Sequence, residues 1–253
     1  MVNVKCIAWV HNNFDYYAKY YTKGYTNEFF TGVKQADATV CLTHSDLKKY
    51  AKISENSLCI YNPLTLNNKH ISSLKNKQIC FTGRIDFAQK GIDYLIEVAK
   101  KIPEDWVISV AGGGKKAEVD KLSELIGKLG LENKLNFKGP LLDEGLKQHY
   151  LGSSVYLMTS RWEGMPLVLA EAMCFGLPIV AFEQSGSSEV LAKGKYGALI
   201  EQGNIGALMR KLKKLMNDIS TRKYYQQLSL QRVKDFDVSS ITTDWLHLID
   251  SIC

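Results

Sequence analysis

The 253-residue sequence has no apolar run near the roughly 18–20 residues that a membrane-spanning helix requires. Its opening, Met1-Val2-Asn3-Val4-Lys5, lacks the apolar centre of a secretory signal and leads toward a short strand, so a cytoplasmic chain is expected. The six cysteines (6, 41, 59, 80, 174, 253) include no C-x-x-C pair. Most lie in apolar strand- or helix-like runs and read as reduced core thiols rather than a disulfide framework. Five histidines are scattered without metal-ligand spacing, so no metal site is expected. No internal repeat or low-complexity tract is evident, which argues against a solenoid or a disordered array. The net charge of +6 is mild. It suits phosphate-bearing ligands or an anionic surface and singles out neither. What remains, 45% apolar and 23% charged residues, is the composition of a globular protein with one large domain or two modest ones.

The stretch from Ser160 to Met173 organises the rest. It leaves a buried strand and enters a helix, with Pro166 expected at the first helical position, where its fixed φ fits. Glu163 then lies in the loop and Glu171 in the second turn of the helix. The first helical N–H groups point back at the loop, ready for an anion or a hydroxyl-rich ligand.

In chain order, strands are expected at 5–10, 38–43 and 58–61. An aromatic-rich segment runs from Phe14 to Tyr25, a helix from about 27 to 36, and a second helix, capped by Ser45, to about Ala51. Residues 64–77 are polar and read as a linker. Strands at 78–82, 106–111, 134–138, 154–158, 178–182 and 197–200 then alternate with helices at about 91–101, 115–129, 142–151, 166–175, 186–192 and 204–217. That alternation predicts an α/β fold with a doubly wound parallel sheet. The tail from about 220 to 252 reads as helical throughout, with an apolar stripe of Ile241, Trp245, Leu248, Ile249 and Ile252 that needs a surface to cover it.

Ligands of such sheets bind outside the carboxyl ends of the strands, and four segments converge there. Gly83-Arg84-Ile85-Asp86 with Lys90-Gly91 suits a diphosphate, the Arg as a fork and the Lys as a point charge. The plain alternative is an Arg84–Asp86 surface pair and a solvated Lys90. Ala111-Gly112-Gly113-Gly114-Lys115-Lys116-Ala117 fits a dinucleotide fingerprint, but the acidic residue expected after the next strand is missing. A nicotinamide-dependent oxidoreductase is therefore the minor reading, and a tight turn beside another ligand the major one. Lys138-Gly139-Pro140-Leu141 is a plain loop or a base contact. Glu163 and Glu171 are a hydroxyl-gripping pair, or one residue before a cap and one solvated residue on a helix.

Several of these motifs, in this order, resemble the retaining glycosyltransferases of family four, which have the GT-B fold. The likeness rests on Gly83-Arg84 with Lys90-Gly91, and on Glu163-Gly164-Met165-Pro166 through Glu171-Ala172-Met173. It continues in Gly176-Leu177-Pro178-Ile179-Val180-Ala181, Gly186, Glu189 and Gly197. It covers residues 57–217 densely and looks closest to bacterial capsule, exopolysaccharide and lipopolysaccharide enzymes. The resemblance implies a hexosyltransferase that uses a nucleotide-diphosphate sugar as donor substrate, with no cofactor and no metal. It implies that Arg84 and Lys90 hold the diphosphate and Glu163 accepts donor-sugar hydroxyls. Backbone around Gly83, Gly164, Met165, Pro166 and Leu167 would meet donor oxygens. Glu171 would bind the ribose, and Lys138, Gly139, Pro140 and Leu141 would lie near the base. His11 resembles a histidine presented across the cleft. The acceptor is a saccharide or a lipid-linked saccharide, and nucleic acid is not a partner.

The implied domains are residues 1–63, the last part of an acceptor-side domain; 64–77, a linker; 78–235, a complete Rossmann-like donor domain; and 236–253, a helix crossing back. Family members carry a longer first domain, so the N-terminal domain reads as incomplete. Trp245 and its neighbours would then meet only a partial platform. A donor-binding module without turnover is the alternative function. Asp235-Phe236-Asp237 has the spacing of a metal-binding D-x-D, but Asp237 reads more simply as an N-cap. The run Arg210-Lys211-Leu212-Lys213-Lys214-Leu215 is either a peripheral contact with the inner membrane face or, more plainly, a solvated helix face.

Overall fold

A computed structural model describes residues 4–66 and 68–253. Met1–Asn3 and Asn67 lie outside the described residues, and with them the start of the chain and one position of the expected linker. Two parallel sheets are present. The smaller has the order β1 (Ile7–Trp9), β2 (Ala38–Cys41), β3 (Ser57–Cys59). The larger runs β6-β5-β4-β7-β8-β9, where β4 is Gln78–Thr82, β5 Val107–Ala111, β6 Leu135–Phe137, β7 Val155–Met158, β8 Ile179–Phe182 and β9 Ala198–Ile200. The chain winds outward from β4 through β5 and β6, then returns to the other side at β7. The strand order therefore reverses between β4 and β7, which opens a crevice at their carboxyl ends.

The sheet is buried on both faces, so its strands read as continuous apolar runs rather than alternating ones. Ile79, Phe81, Val155, Leu157, Val180 and Phe182 point into one core. That core is closed by α5 (Ile92–Ala99), α6 (Lys116–Lys128) and α10 (Ile205–Asn217). Cys80, Tyr156, Met158, Ile179 and Ala181 point into the other. It is closed by α7 (Asp143–Leu151) and α8 (Leu167–Cys174), against which α11 (Ile219–Arg232) packs. Each fully buried leucine, isoleucine or phenylalanine in these layers contributes about 1.5–3 kcal/mol.

The tail is not one helix. Residues Val233–Phe236 tighten into a 3₁₀ turn, and Asp237 accepts from the N–H groups of Ser239 and Ser240 to start α12 (Val238–Ile252). The break lets α12 leave the large sheet and cover the small one. Ile241 and Leu248 pack on Ala38, Val40 and Ile60, and Trp245 meets Trp9 edge-on at 4.8 Å. The opposite face is covered by residues of α2 (Thr26–Gln35) and α3 (His44–Tyr50), including Val33 and Tyr50. Ile241, Trp245, Leu248 and Ile252 of the apolar stripe thus find a three-stranded surface with helices on both sides, whereas Ile249 is 42% exposed.

Other local expectations are corrected. Thr43, not Ser45, caps α3, accepting from the Asp46 N–H. Pro166 is the N-cap of α8 rather than its first helical residue, with ψ at 95°. The expected helix at 91–101 is preceded by a separate turn, α4 (Phe87–Lys90). Gly91 divides the two with φ at +65°, and a side chain there would meet the Thr159 carbonyl at 2.2 Å. Part of the aromatic segment is helical, as α1 (Phe14–Tyr16) running into a π-turn over Tyr17–Tyr21.

Glu189, in α9 (Ser185–Val190), ties the two sheets together. Its carboxylate accepts from the His44 N–H at 2.9 Å and the Tyr61 hydroxyl at 2.6 Å, and the His44 Nδ1 lies 2.7 Å away. Burial alone would raise its carboxyl, but the Tyr61 and His44 donors outweigh that and hold it below the usual carboxylate range. A depressed folded value means stability that is present above the unfolded value and lost as pH falls through the folded one. Glu189→Ala is therefore expected to lower stability by about 1–3 kcal/mol at neutral pH and to flatten the acid limb of the Tm profile. A variant with wild-type Tm at neutral pH would refute this role for Glu189.

Candidate active site

The crevice between β4 and β7 is built by two loops fastened to one another. After β4, Asp86 accepts from the Gln89 N–H at 2.8 Å and starts α4, which delivers Lys90 as its last residue. After β7, the Thr159 hydroxyl donates to the Lys90 carbonyl at 2.8 Å, and the Arg161 N–H donates to the Gln89 carbonyl at 2.8 Å. The Gln89 amide donates in turn to the Trp162 carbonyl at 3.3 Å. These bonds bring Lys90 Nζ to 2.6 Å from Glu163 Oε1, with side chains only 15% and 10% exposed. An ammonium has three donors, so this pair leaves Lys90 with two more. Glu163 and Lys90 come together although 73 residues separate them.

Arg84 is the exposed member. Its Nη2 donates to Gln89 Oε1 at 2.8 Å, and its Nε lies 3.8 Å from Asp86. Arg84 lines a cavity of about 370 Å³ with Gly83, Pro140, Leu141 and Glu171. That volume lies within the range of small-ligand pockets. Lys138, exposed just after β6, and Gly139 are not among the residues that line this cavity. Gly139 serves as a backbone acceptor for Gly112 at 2.8 Å. On the far wall, Glu171 is partly buried, and burial pushes its carboxyl up while the Tyr150 hydroxyl, donating at 2.7 Å, pulls it down.

The glycine-rich turn is explained without a dinucleotide. An added side chain on Gly112 would lie 1.8 Å from the Gly83 carbonyl, and one on Gly114 2.4 Å from that of Ile85. The two turns are hydrogen-bonded along this line, Gly83 N–H to Ala111 and Ile85 N–H to Gly113. These glycines admit a neighbouring backbone, so the fingerprint reading fails on geometry.

The glutamate loop is pressed from the other sheet. A side chain on Gly164 would meet the His11 carbonyl at 2.3 Å, and one on Gly186 the Gly164 carbonyl at 2.5 Å. His11 is exposed, with its ring 4.3 Å from that of Trp9. Met165 is buried, and Pro166 and Leu167 form the start of α8. A second cavity of about 480 Å³ lies between the sheets, lined by Asn13, Tyr16, Lys19, Trp162 and Gln184. Tyr16 stacks on Trp162 at 4.7 Å and 20°. Trp162 Nε1 and Gln184 Nε2 are buried and have no hydrogen-bond partner among the described residues.

The D-x-D spacing comes apart, since Asp235 pairs with Arg232 at 2.6 Å and Asp237 caps α12. Sequence reasoning missed Gln89, Tyr150, Tyr16 and Trp162. Gln89 stands one residue before the Lys-Gly pair, which was its only signal. Tyr150 reads as an ordinary core aromatic at helical spacing.

A family model described as Glycosyl transferases group 1 matches residues 65–231. An uncharacterized glycosyltransferase of Haemophilus influenzae is 33% identical over 98% of this chain and 70% of its own length. An N-acetyl-D-galactosaminyltransferase of Campylobacter jejuni, named for an undecaprenol-diphosphate-linked saccharide, is 28% identical over 85% of this chain and 60% of its own length. The structure of S. aureus TarM in complex with UDP and alpha-GlcNAc-glycerol superposes with a TM-score of 0.83. It is 24% identical, over 97% of this chain and 51% of its own. This chain spans half to seven-tenths of the length of these three relatives.

Proposed function

The chain belongs to the glycosyl transferases group 1 family, and on that premise we propose that it moves a hexose, with retention, from a nucleotide-diphosphate sugar to a saccharide or lipid-linked acceptor in cell-surface polysaccharide synthesis. The observation that carries this reading is the Lys90–Glu163 pair at the switch point of the strand order, beside a cavity that runs from Arg84 to Glu171. Cations at one side and carboxylates at both ends match a diphosphate flanked by two hydroxyl-bearing rings. The relatives named for an undecaprenol-linked saccharide and crystallised with UDP support the substrate classes.

In this reading Glu163 accepts from donor-sugar hydroxyls, with His11 near the same sugar and the Gly164–Leu167 backbone meeting donor oxygens. Lys90 and Arg84 face the diphosphate, Glu171 takes the ribose, and Pro140 and Leu141 lie along the base. Breaking the sugar–phosphate bond builds negative charge on the leaving diphosphate, and the fixed cations stabilise it in place. With those two cations the step requires no metal, so transfer is expected to persist in a chelator. The acceptor hydroxyl attacks from the face the diphosphate leaves, and its proton passes to the departing phosphate oxygen. The acceptor enters from the second cavity, where Tyr16 and Trp162 offer aromatic surface to a sugar ring.

A lipid-linked acceptor would place the chain at the cytoplasmic face of a membrane. No described helix is long and apolar enough to cross one. In α10 the leucines at 212 and 215 are buried in the core, while Arg210, Lys213 and Lys214 are exposed. That helix therefore presents cations to anionic lipid but no apolar face.

Thermal shift with UDP, GDP and their hexose conjugates tests the site. A ligand at a hundred times its Kd stabilises by about 2.7 kcal/mol, which raises Tm by several degrees. Arg84→Ala and Glu171→Ala are each expected to diminish that rise, and unchanged affinity in both would sink the assignment. A donor-binding unit without turnover is the second reading. Binding with neither transfer nor hydrolysis would establish it.

A further inference from the structure

We propose that Tyr150 is a positioning residue, locking the Glu171 carboxylate in the orientation that receives the ribose. The inference rests on reading the 370 Å³ cavity as the nucleotide site. Tyr150 is fully buried in α7, and its ring stacks on Phe175 at 5.1 Å and 19°. Its hydroxyl donates to Glu171 Oε2 at 2.7 Å. Among the described residues no other hydrogen bond reaches this carboxylate, so Oε1 is left for a ligand.

A core tyrosine needs some acceptor for its hydroxyl, and a backbone carbonyl is the inexpensive choice. The adjacent Tyr156 makes that choice, donating to the Thr82 carbonyl at 3.1 Å. Tyr150 instead holds an ionisable side chain at the cavity wall, where partial desolvation of the charge costs free energy. In the same wall the Thr82 hydroxyl is buried and has no hydrogen-bond partner among the described residues.

Two consequences follow for the carboxylate. Glutamate has several rotatable bonds, and one bond to a rigid phenol removes most of their freedom before the ligand arrives. The bond also favours the ionised form, which accepts from two ribose hydroxyls where a protonated acid accepts less well. The titratable and charged groups facing Glu171 are Tyr150 and Tyr156, Cys174 on its own helix, and Arg84 across the cavity. Burial raises the two phenols and the thiol, so they stay neutral, and the carboxyl of Glu171, itself raised by burial, is the group among them whose charge changes on acidification.

Titration calorimetry from about pH 5 to 8 with UDP, GDP and 2′,3′-dideoxy-UDP tests this on wild type, Tyr150→Phe, Glu171→Gln and the double variant. Tyr150→Phe keeps the ring and its stacking. It is expected to weaken nucleotide binding about tenfold and to lose most of the preference for ribose over dideoxyribose. The acid limb of its binding profile should move to higher pH, because the donor that favoured the carboxylate is gone. Glu171→Gln should keep only the acid limb that the ligand's own terminal phosphate contributes, and the double variant should bind like Glu171→Gln alone. Additive losses, or a Tyr150→Phe variant with wild-type ribose preference and pH profile, would overturn the positioning role while leaving the nucleotide site standing. Wild type that binds none of the nucleotides would overturn both.

Discussion

Lys90→Met is expected to reduce transfer by about 10²–10³-fold. The methionine keeps the length and apolar stem of the lysine and removes only the charge. On the proposed reading Lys90 is one of two cations beside the leaving diphosphate, in a position 15% exposed, where a charge is worth more than it is in water. The same substitution leaves Glu163, its side chain 10% exposed, as a buried charge without its partner. That is expected to cost about 3–5 kcal/mol of stability. A double variant isolates the stability effect: Lys90→Met with Glu163→Gln removes the orphaned charge and should recover much of the lost stability, while the loss of transfer is read from the Lys90→Met single variant. A Lys90→Met variant whose kcat/KM lies within a few-fold of wild type would mean that the lysine only holds Glu163 in place.

The second large effect is expected from one methyl group. In Gly112→Ala the new carbon would lie 1.8 Å from the Gly83 carbonyl oxygen, at a φ of +148° that side chains rarely adopt. Neither atom is the end of a flexible chain, so one of the two turns must give way. With it go the bonds from Gly83 to Ala111 and from Ile85 to Gly113, and the turn that aims Arg84. A loss above about 4 kcal/mol is expected, enough to leave much of the chain unfolded at ordinary temperature. Gly113→Ala is the control, since its nearest neighbour is Pro140 at 3.9 Å, an ordinary contact. It should cost less than about 1 kcal/mol. Equal melting temperatures for the two variants would show that the 83–85 turn can move aside.

The large sheet was legible because its residues report their own surroundings. Strands buried on both faces are continuous apolar runs, and β4 has the bounds that the run at 78–82 predicts. The motif residues at 83–91 and 160–173 were legible because each sits at a strand end, where the backbone turns and a polar residue has a reason to be. The tail read as helical throughout, with Asp237 as the cap of its last helix, and the place where the chain turns there is fixed by Phe236, fully buried and packed with Tyr61 and Arg232. Nothing in the local run of residues 233–237 announces those partners. The glycines at 112–114 were ambiguous for a related reason. A glycine's spacing records that something comes close, and only the neighbouring turn showed that it is the backbone of Gly83 and Ile85.

The sequence by itself determined the α/β class, the strands of the large sheet and the short set of charged residues at their carboxyl ends. These are local matters of side-chain periodicity, chain reversal and residue type. Only the tertiary structure decided which of those charges meet. It joined Lys90 to Glu163 across 73 residues, held Arg84 with Gln89, gave Glu171 its tyrosine and pressed His11 against Gly164. Such pairings depend on the strand order at β4 and β7 and on the docking of one sheet against the other. They are properties of distance in space, which spacing along the chain does not encode.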